Sequence, residues 1–260
     1  MKKTVGILLI ILVGTLQLEA GIFKSLLRFR IQRVPVIHFS GYDWEVKSSD
    51  VPVAPRDNYF AADSANVEVD STGKLHLRIT HREGIWYCAE IRSRKSFGYG
   101  DYIFQLGSAV DSLLVDVVLG LFTYDSKAEP PHREIDIEFA RWGDIQNPNA
   151  QYVVQPYTEE GNLERFHIRL DGSYTTHRFR WYPEGIHFES YNGNYPFAPG
   201  KEHFQKMWLY RAADVPSEGR ERVHLNLYLI SEERLSKDEV IEVIINRFLF
   251  IPFGRSNPIN

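Results

Sequence analysis

Short runs in which apolar and polar residues alternate, broken by turn formers, recur through most of the chain. Val67 and Val69, a Ser71, Thr72, Gly73 turn, and then Leu75, Leu77 and Ile79 predict a hairpin with one face in a core. Further strands are predicted over residues 86–93, 102–107 and 113–123, the last a long run of Val and Leu suited to a central strand buried on both faces. Downstream, strands are expected at residues 151–156, 166–170, 176–181, 186–190, 208–212, 223–230 and 240–250. Only residues 231–242, rich in Glu and Lys, have room for a short helix, and they read as a surface connection. No internal repeat or low-complexity tract interrupts the series. Many short strands of this kind predict an all-β sandwich or barrel.

One strand differs from the rest. Glu134, Asp136 and Glu138 alternate with Ile135, Ile137 and Phe139, so a period of two makes one face acidic and gives the other to the core. Like charges side by side destabilise a sheet. In a cleft, however, the same crowding raises the pKa of one member and sets a proton donor beside an ionised partner, as glycoside hydrolysis requires. The backbones of Glu134 and Glu138 stand roughly 13 Å apart in a strand, whereas a retaining pair of carboxyl groups needs about 5–5.5 Å. Long side chains leaning together on a concave sheet close most of that gap. Alternation alone leaves two readings open, a solvated acidic face and a catalytic pair.

The run from Glu134 to Glu138 resembles the catalytic strand of glycoside hydrolase family 16, the lichenase and laminarinase group. Residues 89–100 resemble the family's Glu, x, Arg stretch followed by Phe, Gly, Tyr, Gly, here Glu90, Arg92, Phe97, Gly98, Tyr99 and Gly100. Residues 179–193 are similar to its segment of Trp, Pro, Ile and an aromatic residue closing on a Gly turn, with one extra residue, and 223–229 resemble its late strand with Asn226 at the centre. The resemblance spans Tyr59 to Pro252. It implies a jelly roll of two curved antiparallel sheets with an open concave cleft. It further implies Glu134 as nucleophile, Glu138 as general acid and base, Asp136 as the residue that tunes them, and retention at the anomeric carbon. Asn58, Glu90, Arg92 and Gln155 match polar positions of the family's cleft, and His132 and Trp142 flank the acidic strand as candidate cleft borders. Plain alternatives stand beside these roles. Glu90 and Arg92 are spaced to neutralise each other or the acidic strand, Asn58 to cap a turn after Pro55, Gln155 to satisfy backbone groups before Pro156, and Trp142 to fill core. Two departures bear on the substrate: His132 replaces the family's Trp before the first Glu, and Tyr228 replaces a Trp on the late strand. An enzyme on a β-linked glucan or galactan, a transglycosylase and a noncatalytic glycan-binding protein all fit this pattern.

Composition is consistent with the polysaccharide partner that the resemblance implies. Five Trp and fourteen Tyr supply both core and sugar-stacking surface, while a net charge of -4 without a basic stripe excludes a nucleic-acid protein. Residues 1–20, with Lys2 and Lys3 before an apolar run that ends at Leu16, read as a signal peptide or an uncleaved anchor. Residues 21–40 read as a linker and 41–260 as the sandwich domain, in an extracytoplasmic setting with membrane contact only through the N-terminal segment. The single Cys88 excludes an intrachain disulfide and sits in a strand-like run that predicts burial. The chemistry requires no cofactor. The nine His show no metal-ligand spacing; relatives in the family can carry a structural calcium away from the cleft, and no oxygen ligands for one are assignable in this sequence.

Overall fold

The computed structural model describes residues 34–212 and 215–254. The expected leader, residues 1–20, and most of the expected linker lie outside the described residues. Sixteen strands follow in chain order. They are β1 Val36–Phe39, β2 Tyr42–Val46, β3 Tyr59–Phe60, β4 Val67–Val69, β5 Leu75–Arg82 and β6 Ile85–Ser93. Next come β7 Gly100–Leu106, β8 Val117–Tyr124, β9 Ile135–Phe139, β10 Ala150–Val154 and β11 Leu163–Phe166. The series ends with β12 Thr175–Tyr182, β13 Gly185–Asn192, β14 Phe204–Tyr210, β15 Arg222–Leu229 and β16 Ile241–Pro252.

Pairing groups the strands into two antiparallel layers. One runs β1-β2-β6-β15-β8-β9-β10-β11. The other runs β4-β5-β16-β7-β12-β13-β14. The β5–β6 hairpin carries the hydrogen bonding from one layer into the other, giving a nearly closed jelly roll; the short β3 pairs with β6 in parallel. The turn at this joint has two central residues, Glu83 and Gly84, both with positive φ (52° and 84°). That is a type I′ turn, whose twist matches the strands it joins.

Alternation decides what fills the space between the layers. Ile135, Ile137 and Phe139 of β9, Leu119 and Leu121 of β8, and Leu225 and Leu227 of β15 all point inward and are buried. They meet Tyr102, Phe104, Phe179, Phe188 and Phe248 from the opposite layer. Aromatic pairs bridge the layers: Tyr152 of β10 stacks on Phe188 of β13 at 4.8 Å, and Phe139 sets an edge against His177 of β12 at 4.6 Å. The polar atoms that enter this core are paired. Tyr152 Oη donates to Ser190 Oγ at 2.6 Å, and His177 bonds Ser190 and Thr175 at 2.7 and 2.9 Å. Burial depresses His177 to about 3, so it sits there as a neutral imidazole. β9 is therefore fixed from behind by apolar contacts and a satisfied polar cluster.

The all-β class and the central place of β8 agree with the sequence reading, but β8 is not buried on both faces: Phe122 and Tyr124 lie half-buried on the open face. Three strands before Val67 are absent from the sequence reading: β1 begins at Val36, within the expected linker, and β2 and β3 lie at the start of the expected domain. These short strands bury only Phe39, Trp44, Val46 and Phe60, so their apolar signal is sparse. Residues 113–116 precede β8 rather than belonging to it, following a 3₁₀ turn at Val110–Ser112. β11 ends at Phe166 instead of starting there, because its register on β10 pairs Leu163 with Val153. Residues 231–240 form turns and no helix.

Truncation in this core tests the packing. Ile137→Ala, directly behind the acidic face, should lower the unfolding free energy by about 2–5 kcal/mol, measured by chemical denaturation.

Candidate active site

β9 lies between β8 and β10, with Glu138 opposite Gly120 and Gln151, and Asp136 opposite Phe122 and Val153. The pleat that buries Ile135, Ile137 and Phe139 turns Glu134, Asp136 and Glu138 to the open face. Asp136 is 3% exposed, and the two glutamates are half-buried. Gly120 is needed beside Glu138. Its N–H donates to Asn226 Oδ1 at 3.1 Å, and any β-carbon at residue 120 would collide with that amide.

Burial is the largest cause of an upward pKa shift for each of the three carboxyls. It pushes Glu134 up to about 7, with the charge of Glu138 adding to it and a hydrogen bond from Asp136 acting against it. Asp136 is held well above the usual carboxyl range, by burial first and then by both glutamate charges. Glu138 is raised by burial, against the Gln151 hydrogen bond and the charge of Arg165. The hydrogen bond between Asp136 and Glu134 lowers Glu134 and raises Asp136, which makes Asp136 its donor. The three groups titrate as a set, because neighbouring charges in a low-dielectric site cannot all form together.

Gln151 sets the orientation of Glu138. Its Oε1 accepts from Trp142 Nε1 at 3.1 Å and Arg165 Nε at 2.9 Å, which leaves Nε2 to donate to Glu138 Oε2 at 2.6 Å. Gln155 serves Asp136 in the same way, donating at 3.2 Å while its Oε1 accepts the Tyr157 N–H. Ahead of Glu134, His132 and Arg133 both occupy left-handed backbone (φ 62° and 56°), a conformation that costs on the order of 1–3 kcal/mol per residue. Arg133 is tied to Asp125 at 2.9 Å and to Ser217 O at 2.8 Å. The His132 ring lies 5.0 Å from Tyr124, and its buried Nδ1 has no partner among the described residues. Trp142, after β9, is also left-handed (φ 52°) and packs against the core by one side.

The neighbouring strands carry the rest of the face. His224 of β15 stacks on Phe122 at 5.0 Å and bonds Glu90 Oε1 at 2.9 Å, and Lys47 donates to Glu90 Oε2 at 2.6 Å. Burial alone would raise Glu90, but His224 and Lys47 hold it below the usual range. Arg92 and Arg222 share Glu45 Oε2 at 2.7 and 3.0 Å. Glu90 and Arg92 therefore lie on the cleft face yet are paired with other residues and not with each other. Asn58 is committed to structure: Nδ2 donates to Pro55 O and Leu229 O, both at 2.8 Å, and Oδ1 accepts from Cys88 Sγ at 3.3 Å. Cys88 is buried, and desolvation pushes its thiol up to about 12. Tyr228 completes the face near Glu138; burial, then the charge of Glu138, raises its phenol.

Sequence reasoning did not single out Gln151, Arg165, Phe122, Tyr124 or His224. For Gln151 the signal was available, since the alternation that turns Gln155 to the open face turns Gln151 there too. The others depend on which strands become neighbours. Among the described residues no group of three or more His, Cys, Asp or Glu side chains is arranged to hold a metal ion, so no calcium ligands are assigned.

Protonation of the three carboxyls should leave a mark on stability. A carboxyl whose folded pKa exceeds its unfolded value stabilises the fold fully below the unfolded pKa and loses that contribution as pH rises through the folded one. For Glu134 the window runs from about 4.5 to about 7. Glu134→Gln should therefore gain stability over wild type between pH 4.5 and pH 8, by on the order of 3 kcal/mol at most, read from paired denaturation curves.

No family model matches the chain and no curated protein matches it. Solved structures do. A β-glucanase from Bacillus licheniformis superposes with a TM-score of 0.56 at 19% identity, covering 84% of this chain and 99% of that one. A glycoside hydrolase family 16 endo-glucanase from Bacteroides ovatus, bound to a ligand designated G4G3G-2F-DNP, gives 0.59 at 14% identity over 80% and 94%. An immunostimulatory antigen of Mycobacterium tuberculosis, described as a pseudo β-1,3-glucanase, gives 0.57 at 18% identity over 80% and 91%. The chain thus has the fold of the glycoside hydrolase family 16 β-glucanases and lichenases.

Proposed function

We propose that the protein is a retaining endo-β-glycan hydrolase, acting outside the cytoplasm on a glucan- or galactan-type polysaccharide. The observation that carries this reading is a set of three carboxyls on one strand, at the open face of a β-glucanase fold, with all three pKa values raised by burial. Such a set holds protons near neutrality, when ordinary carboxyls have lost them.

In this mechanism Glu134 is the nucleophile. The Asp136 O–H donates to its carboxylate and stabilises the ionised form without adding a second negative charge. Glu134 attacks the anomeric carbon as the glycosidic C–O bond breaks, and Glu138 gives its proton to the departing oxygen. Glu138, now ionised, takes a proton from water; the oxygen attacks the glycosyl ester and frees Glu134. Two inversions leave the configuration unchanged. Gln151 holds one oxygen of Glu138, so the other is free to face the leaving group. Phe122, Tyr124 and His224 offer ring surface beside the reacting centre, where a sugar ring can stack. An open face crossed by several strands suits a polymer gripped in mid-chain.

A second reading, a noncatalytic glycan-binding protein, is favoured by the existence of a pseudo β-1,3-glucanase with this fold and by the pairing of Glu90 with His224 and Lys47. Wild type that binds a glycan tightly yet releases no reducing ends would support it.

Two outcomes test the hydrolase. On β-1,3-glucan, mixed-linkage β-glucan, agar, carrageenan and xyloglucan, Glu134→Gln should reduce reducing-end release from the cleaved polymer by at least about 10³-fold, and Glu138→Gln by about 10²–10⁴-fold, both variants staying folded. Full activity in Glu134→Gln would remove it as nucleophile. Because Asp136 acts as a neutral donor, Asp136→Asn should keep kcat/KM within about tenfold, whereas Asp136→Leu should lose about 10² or more, on the scale of one lost donor.

A further inference from the structure

A pocket of about 300 Å³ opens where the Arg56–Tyr59 loop, the β5–β6 turn and the end of β15 meet. Its walls include Tyr59 and Trp86, and its rim carries Arg56, Asp57, Ser231 and Glu232. None of these lies on β9. Among the described residues, the side chains of Arg56, Asp57 and Glu232 have no hydrogen-bond or ion-pair partner, and all three are exposed. Arg56 and Asp57 are both left-handed (φ 57° and 53°), a strained pair that presents two opposite charges side by side. Aromatic walls with unpaired carboxylates and a guanidinium at the rim suit a sugar, whose ring face is apolar and whose hydroxyls both donate and accept. The volume is at the lower end of the range for small-ligand sites, about 300–1,000 Å³. It has room for one monosaccharide and not for a chain.

The pocket adjoins the cleft. Asn226 lies two strands from Glu138 through Gly120, and Leu229, which lines the pocket, lies three residues further along β15. Strand geometry makes these steps about 10 Å in each direction. Tyr228, next to Leu229, stands between: its phenol feels the charge of Glu138 and that of Arg56. Asn58 lines the pocket and ties its loop to the end of β15 through its bond to Leu229 O.

We propose that this pocket is a side subsite for a single-sugar branch, so that the preferred substrate is a β-glycan carrying monosaccharide substituents on the backbone units that lie over β15, two strands from Glu138. The proposal rests on the reading of the cleft as a glycan site. A backbone crossing the strands cannot enter the pocket, which lies along the strand direction, whereas a substituent at right angles to that backbone can.

The test compares matched oligosaccharides: linear β-1,3-gluco-oligosaccharides against the same chains with single β-1,6-glucosyl branches, and linear β-1,4-gluco-oligosaccharides against their xylosyl-substituted forms. Cleavage is measured by kcat/KM and binding by calorimetry on Glu134→Gln. Wild type should prefer one branched form by at least tenfold. Ser231→Phe, which fills the pocket, should abolish that preference while leaving the linear chain within twofold; Arg56→Ala with Glu232→Ala, both exposed, should weaken it without affecting folding. Equal use of branched and linear chains by wild type, or a preference untouched by these variants, would overturn the side subsite while leaving the cleft reading intact. Neither binding nor cleavage of any member would remove the cleft reading, and the subsite with it.

Discussion

Three carboxyls withdrawn from water on one face of β9 are the constraint around which this half of the molecule is organised. Desolvation disfavours every charge on that face, and each charge that does form disfavours the next. The fold responds by fixing protons and donors in place. Asp136 retains a proton for Glu134, Gln151 presents an amide N–H₂ to Glu138, and Gln155 presents another to Asp136. The carbonyl of Gln151 is occupied by Trp142 and Arg165, so its amide cannot flip without breaking two bonds. A strand with such an unfavourable face holds its position because its other face is wholly apolar and locked into the core by Phe139 and His177.

The strain around β9 belongs to the same picture. His132, Arg133 and Trp142 bracket the strand in left-handed backbone. The bonds of Arg133 to Asp125 and Ser217 pull the entering chain across the end of the sheet. Glu134 accordingly lies just outside the regular strand while its carbonyl still accepts the Gln155 N–H. The nucleophile position is thus held by the loop as much as by the ladder.

Much of this was legible in the residues. Period-two alternation is local, and it correctly divides β9 and β5 into a core face and an open face, whereas the Val and Leu run of β8 hides that β8 has an open face too. Alternation does not say which strands lie side by side, and the partners of Glu90 show the consequence. Arg92, two residues away, is spaced to neutralise it, but the groups that engage it are Lys47 and His224, on either side of β6. Asn58 is a similar case: its three bonds reach Pro55, Cys88 and Leu229, and only the first is near in sequence. The early strands leave little pattern in the sequence because each is short and turns only one residue in two inward.

The pairing of Glu45 with Arg92 and Arg222, and of Glu90 with Lys47 and His224, has an electrostatic consequence. Among these groups two carboxylates face two guanidiniums and one ammonium, so all but a single positive charge is matched within a few ångströms. Beyond about one Debye length, roughly 8 Å in physiological salt, little potential survives to draw in or repel a distant polymer. A surface of this kind recognises by touch. Encounter with an uncharged chain is left to diffusion, and ionic strength has little to screen until contact is made.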